Sequence, residues 1–248
     1  MAQEGIYKNP ILVNQAAHKT VKIAKVVNFS FAKDLNSVLL TGHEFLEASK
    51  HYPIVFVSGK NDDIVPLAIL GLRNMGNLFI DDSGKWKEGA YIPAFVRRYP
   101  FILAENDPSG ESFAVSVDAA YEGFDKEEGM SLFDEEGNLS AAMNKVMEFL
   151  KQYQLQNMFT QEFVKKLSGY NLLKDFTADI TMPAGEKLGF KGLKMINEKA
   201  LLELEDEKAL DLFRRGFFGW IYGHLYSLSN FRALGQLEAK KGGTAEAA

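Results

Sequence analysis

Tyr91-Ile92-Pro93-Ala94-Phe95-Val96-Arg97-Arg98-Tyr99-Pro100-Phe101 is the densest mix of aromatic, apolar and cationic residues in the chain. The residues before it alternate as strands do, and those well after it have helical spacing, so its reading decides where a β-rich half ends. As part of one strand running on to Leu103, it places Phe95, Arg97, Tyr99, Phe101 and Leu103 on one face. Val96, Arg98, Ile102 and Ala104 share the other, so the two arginines point in opposite directions. Both sets are apolar, which puts at least one guanidinium against buried surface. Such a cation needs a carboxylate, a ring of carbonyls or an anionic ligand. An internal pair with Asp or Glu is the purely architectural alternative. Pro100 donates no hydrogen bond, which places the strand at a sheet edge or a bulge.

Working backwards from this stretch, residues 21–118 read as an antiparallel meander with one inserted helix. Val21, Ile23, Val27, Phe29 and Phe31 alternate with polar residues, a signal for one or two strands. Residues 1–20 read as an irregular lead-in. Thr41 and Glu44 have the spacing of a capping box, opening a short helix that ends before Pro53. Ile54–Val57 and Ile64–Leu72 form a hairpin around the turn residues Ser58-Gly59-Lys60-Asn61-Asp62. Pro66 suits that second strand only near an edge. Asn77–Ile80 is a further short strand. Asn106-Asp107-Pro108-Ser109-Gly110 is a turn before the alternating Phe113–Val117.

Working forwards, Glu122–Asn138 is acidic and punctuated by glycine. Ser140 caps a helix towards Tyr153, and Thr160 caps its continuation to Leu167. Phe176–Met182 and Leu188–Ile196 flank Pro183-Ala184-Gly185 as a second hairpin. The last element reads as one long helix. Its start is acidic, and Leu210, Phe213, Phe217, Trp220, Ile221, His224, Leu228 and Phe231 make an apolar stripe. Beside that stripe run Gly216, Gly219, Gly223, Ser227 and Asn230. Glycine within a helix costs about 1 kcal/mol relative to alanine, so the small stripe is expected to admit a close neighbour: the sheet, another helix or a second subunit. The fold class is therefore α+β: an antiparallel β-rich N-terminal half and a mainly helical C-terminal half with a second hairpin. One composite domain over residues 1–237 is expected, β-rich over 21–118 and helical over 140–237, followed by a disordered tail at 238–248.

The 248 residues carry a net charge of −5 and no cysteine. Disulfides, thiolate metal sites and a cysteine nucleophile are excluded. The basic doublets Arg97-Arg98 and Arg214-Arg215 are isolated, so the basic footprint of a nucleic-acid binder is missing. No apolar run approaches the roughly 20 residues of a membrane span. The N-terminus lacks the pattern of a secretory signal, so a cytoplasmic location is expected.

No catalytic motif emerges. His43, Glu47 and His51 share a helical face, but the zinc-protease pattern fails there. The nucleophile-elbow, phosphate-loop, dinucleotide and calcium-loop patterns are absent, so no cofactor and no metal is expected. His224 lies within the final stripe, either as a hydrogen-bonded core histidine or as a general base in a pocket. If a pocket exists, it is expected near Tyr91–Phe101. Arg97 or Arg98 would anchor an anion there, Trp86 would form an apolar wall, and Tyr91 and Tyr99 would line it. A small anionic molecule or a peptide is the ligand class, and an enzyme's activity at that pocket is the open alternative.

Several segments together resemble the bacterial SapC family. They are His51-Tyr52-Pro53-Ile54-Val55-Phe56, Pro66 to Leu72, Asn77-Leu78-Phe79, Gly84 with Trp86, and the Tyr91–Phe101 stretch. His224-Leu225, Ser227-Leu228 and Asn230 fit the same pattern, and the resemblance spans about Val21 to Leu234. It implies a non-enzymatic structural or accessory role related to a bacterial surface layer, and a cell-surface location. It carries over no catalytic residue.

Overall fold

The structure is a computed structural model that describes residues 5–59, 63–72, 76–105, 113–181, 185 and 187–245. The N-terminal half holds β1 (Pro10–Leu12), α1 (Gln15–His18), β2 (Lys22–Ile23), β3 (Ser37–Leu39) and α2 (Phe45–Ala48). It continues with β4 (Ile54–Ser58), β5 (Ile64–Ile69), α3 (Ala94–Arg97), β6 (Phe101–Glu105) and β7 (Phe113–Asp118). After β8 (Met130–Ser131) come α4 (Ala141–Gly169), β9 (Leu173–Thr181) and β10 (Lys187–Ile196). Four helices close the chain: α5 (Glu198–Leu202), α6 (Asp206–Arg214), α7 (Phe217–Ser227) and α8 (Asn230–Ala245). The fold is α+β, and every pairing between named strands is antiparallel.

The strands do not form the expected single meander. They divide into sheets ordered β1-β7-β6, β3-β5-β4-β10-β9 and β2-β8. The two hairpins join through β4 and β10, where Val57 pairs with Leu193 and Phe56 with Lys194. Pro66 therefore sits in an interior strand, not at an edge. It faces Phe56 of β4, and its carbonyl accepts from Leu40 N–H at 3.2 Å, one residue beyond the end of β3. Its missing donor thus falls where the neighbouring strand has just stopped, which is why an interior proline is tolerated.

Local side-chain chemistry explains other departures. The alternation from Val21 to Phe31 yields only β2; Asn28 Oδ1 accepts from Ser30 N–H at 2.8 Å and turns the chain into a 3-10 turn at Ser30–Ala32. Asn77–Ile80 is not a strand; Asn77 Oδ1 takes Phe79 N–H at 2.9 Å, and only an Ile80–Trp86 bridge forms. The supposed irregular lead-in supplies β1, an edge strand against β7. The turns placed at 106–110 and on residues 60–62 and 183–184 lie outside the described residues.

Ser140 caps α4 as expected, accepting from Met143 N–H at 3.1 Å. α4 then runs unbroken for 29 residues. Thr160 is no cap; inside the helix its Oγ1 donates to Gln156 O at 2.6 Å and accepts Gly42 N–H at 2.8 Å. A mid-helix threonine thereby binds α4 to the turn before α2.

The expected single final helix is three. Gly216 adopts φ 75°, a left-handed conformation that ends α6 and that a side chain would resist. The later part of the small stripe, from Gly223 on, is consumed within the chain, while Gly216 and Gly219 are exposed. A Cβ on Gly223 would lie 3.4 Å from Phe45 Cβ, Ser227 Oγ accepts Ile54 N–H at 2.9 Å, and Asn230 Nδ2 donates to Ser49 O at 2.6 Å. The close neighbour is thus α2 with the start of β4, and this part of the stripe is not open to a second subunit. The tail read as disordered from 238 is helical to Ala245, with Glu238 buried.

Phe45, Phe56, Phe163, Phe217 and Trp220 meet where α2, β4, α4 and α7 converge. Phe163 is fully buried, worth about 1.5–3 kcal/mol of hydrophobic stabilisation for that side chain alone. Among the described residues, no helix is long and apolar enough to cross a membrane.

Candidate functional site

The arginine stretch is a turn of helix followed by a strand, not one continuous strand. Pro93 is extended at φ −56° and ψ 144°, and its carbonyl accepts from Val96 and Arg97 N–H at 2.9 and 3.0 Å. Arg97 and Arg98 follow each other around this turn, so they do not project to opposite faces of a sheet. The Tyr99–Pro100 peptide is cis, and β6 begins at Phe101 as an edge of its sheet. The edge position expected from Pro100 is therefore present.

Two buried carboxylates hold this turn. Glu44 Oε1 accepts Ala94 N–H at 2.7 Å and the Tyr91 hydroxyl at 2.9 Å. Its Oε2 accepts the backbone N–H and the hydroxyl of Thr41, each at 2.9 Å. The capping box read from the sequence therefore does double duty: one oxygen closes its own helix, and the other seats the first amide of α3. On the far side, Asp118 accepts Lys8, Asn9 and Ala120 N–H at 2.8–3.0 Å and the Tyr99 hydroxyl at 3.4 Å.

Arg97 is exposed. Its Nε donates to Ile92 O at 2.9 Å and its Nη2 to the Tyr91 hydroxyl at 3.1 Å. The guanidinium carbon lies 5.6 and 5.4 Å from the Tyr91 and Phe149 ring centroids, within cation–π range. Arg98 is half-buried among Phe95, Tyr153 and Tyr7 at 4.5, 5.2 and 5.8 Å. Its Nε is buried without a hydrogen-bond partner. The carboxylate expected from the architectural alternative is not there: among the described residues neither arginine forms an ion pair, and ring faces offset the charge instead. Burial pushes the Tyr7 phenol up to about 12, with the Arg98 cation pulling the other way. Burial and then the neighbouring Glu44 charge raise Tyr91 to about 12, against the pull of Arg97.

A cleft of about 420 Å³ opens beside this turn. Arg97, Arg98 and Lys25 are its charged lining, and Phe29, Phe101, Met130 and Phe149 give it much of its apolar wall. Among the described residues no carboxylate lines it. Of the residues singled out from sequence, Arg97, Arg98 and Tyr99 come together here. Trp86 stands one layer behind: its ring meets Phe29 edge-on at 5.7 Å, and its Nε1 donates to the Tyr52 hydroxyl at 3.2 Å. Tyr91 supports Arg97 from outside the lining.

His224 belongs elsewhere. It is fully buried, with Nδ1 at 2.9 Å from Ile54 O and Nε2 accepting Ile196 N–H at 3.1 Å. Those partners make Nδ1 the donor of a neutral ring. Burial lowers its pKa to about 4, against the smaller opposite effect of the Ile54 carbonyl. It cross-links β4 and β10, and both ring nitrogens are occupied. His43 packs 4.9 Å from the Trp220 ring. Among the described residues no group of three or more His, Cys, Asp or Glu side chains is placed to hold a metal ion.

Lys25 and Asp118 are the site residues that sequence reasoning passed over. Lys25 carried no signal, because it lies in an extended segment mistaken for a strand. Glu44 was visible as a cap but not as the anchor of a segment 50 residues away.

The family model described as SapC matches residues 13–234 of this chain. No curated protein and no solved structure matches it.

Proposed function

The chain belongs to the SapC family, and from that premise we propose that it acts by binding, holding a small anionic ligand in the cleft beside Arg97 and Arg98. One observation carries this reading: cations line an apolar cleft of about 420 Å³ in which, among the described residues, there is no compensating carboxylate. The volume is within the ordinary range for small-molecule sites. Two of the Arg97 donors are used by Ile92 and Tyr91, and the remainder are free for an anion. Glu44 and Asp118 fix the turn before a ligand arrives, which lowers the ordering cost of binding. Among the described lining residues there is no nucleophile with an adjacent base, which supports binding over catalysis. The test is to purify the native protein gently, extract it under denaturing conditions and identify co-purifying small molecules by mass spectrometry. An anionic compound should accompany the wild type in near-stoichiometric amount and be lost from Arg97→Gln. Equal retention by both proteins, or none by either, defeats the reading.

A role beside the bacterial surface layer is the second reading. Its support is the family resemblance together with Phe213 and Tyr226, which are 67% and 76% exposed on α6 and α7. Exposed apolar groups of this size suit a contact with another macromolecule. Cell fractionation tests it: native protein found only in the cytosol, with no surface-layer partner recovered by cross-linking, removes it.

A further inference from the structure

We infer that the ligand of the arginine cleft is a single-chain amphiphile with one carboxylate head, of the fatty-acid type; this rests on the anion-binding reading above. The lining divides sharply by chemistry. Apart from the three cations and Tyr99, every described lining residue is apolar or glycine, and among them there is no Ser, Thr, Asn, Gln, His, Asp or Glu. The Tyr99 hydroxyl is already directed to Asp118. A sugar, a nucleobase or a peptide would bring polar edges with N–H and O–H donors into this space, where no described side chain is free to accept from them, each buried unpaired group being costly. A hydrocarbon body has no such requirement and gains by covering Phe29, Phe101, Met130 and Phe149.

The charge balance narrows the head group. Arg97, Arg98 and Lys25 line one cleft, and none has an ion pair among the described residues. Arg98 is sandwiched between rings, which leaves Arg97 and Lys25 as the cations best able to reach an incoming anion. A guanidinium fork matches a planar carboxylate in a bidentate arrangement. Arg97 has already given two donors to Ile92 and Tyr91, an arrangement that holds its plane in position.

The test is calorimetric titration of the full chain, stripped of bound amphiphile on a hydrophobic resin, with hexanoate, octanoate and decanoate below micellar concentration. Decanoate is expected to saturate one site per chain. Affinity should rise about threefold to fourfold per added methylene until the cleft is full. Arg97→Gln should weaken decanoate at least tenfold, and Val146→Glu, which adds a negative charge to the cleft wall, should abolish it. Both variants must keep the wild-type thermal melt; Lys25→Gln replaces either one that does not, with a weakening of threefold or more expected. Four comparison ligands separate the ideas. Acetate and 1-decanol should bind at least tenfold more weakly than decanoate. Preference for decyl phosphate over decanoate overturns the carboxylate head. Arg97-dependent binding of adenosine monophosphate, without decanoate binding, overturns the amphiphile class and leaves the anion-binding reading intact. No binding of any anion, or decanoate binding untouched by Arg97→Gln and Lys25→Gln, removes both.

Discussion

Replacing Glu44 by Gln should loosen the arginine turn without removing any bulk. The carboxylate accepts four hydrogen bonds, from Thr41 N–H, Thr41 Oγ1, Tyr91 Oη and Ala94 N–H. An amide oxygen can serve one of these pairs. The amide nitrogen must then face the other, and each pair contains one rotatable hydroxyl and one backbone N–H. The hydroxyl can turn and accept; the backbone N–H cannot, so one buried donor is stranded at about 1–3 kcal/mol. The remaining bonds lose their charge assistance, which brings the expected destabilisation to about 2–4 kcal/mol. That is a large share of the about 5–15 kcal/mol by which a domain is usually stable. Urea unfolding followed by the fluorescence of Trp86 and Trp220 measures it. Glu47→Gln is the control on the neighbouring turn: Glu47 is exposed and, among the described residues, pairs only with Lys50, so a change within about 0.5 kcal/mol is expected. A Glu44→Gln protein as stable as wild type within about 0.5 kcal/mol would refute the claim that Glu44 anchors the turn.

Three further outcomes follow from the same geometry. His224 titrates at about 4 when folded and near 6.5 when unfolded, so the unfolded chain takes the proton first as pH falls; stability should drop by about 3 kcal/mol between pH 6.5 and 4 and not change further from this group below pH 4. Urea midpoints across that range check it, and a His224→Gln protein with the same slope would contradict it. Gly42→Ala would drive a Cβ into the Trp220 ring, which is already confined by Phe45, Phe163 and Phe217, and should cost about 1–3 kcal/mol by calorimetry. Arg98→Met keeps the stem among Tyr7, Phe95 and Tyr153 and removes an unpartnered buried Nε, so thermal unfolding should show stability unchanged within about 1 kcal/mol or raised; a loss above about 2 kcal/mol would reveal a partner for the charge.

What could be read in advance depended on how local the cause was. The hairpins at Ile54–Ile69 and Leu173–Ile196, the Ser140 cap and the Thr41–Glu44 box are written in short-range alternation and spacing, and they are present. The arginine stretch misled because its apolar spacing fits a strand as well as it fits one helical turn. The deciding contact, Glu44 to Ala94 N–H, joins residues 50 apart. The final helix misled for a different reason: its stripe continues in phase past Gly216, whose left-handed φ nothing in the periodicity reports. The pairing of β4 with β10 is supported by His224, which joins Ile54 to Ile196, a contact with no sequence signature. For the candidate site, the place and the two arginines were legible. Lys25 and Asp118 were not, because one lies in an extended segment and the other at a strand end, both recruited only by the tertiary fold.

The most direct measurement of the central claim is the Nε–H NMR signal of each arginine during a decanoate titration. The signal of Arg97 should move saturably with one ligand per chain, while those of Arg214, Arg215 and Arg232, outside the cleft lining, stay in place. An unmoved Arg97, or a drift shared in proportion by all the arginines, would contradict the assignment of this cleft as an anion-binding site.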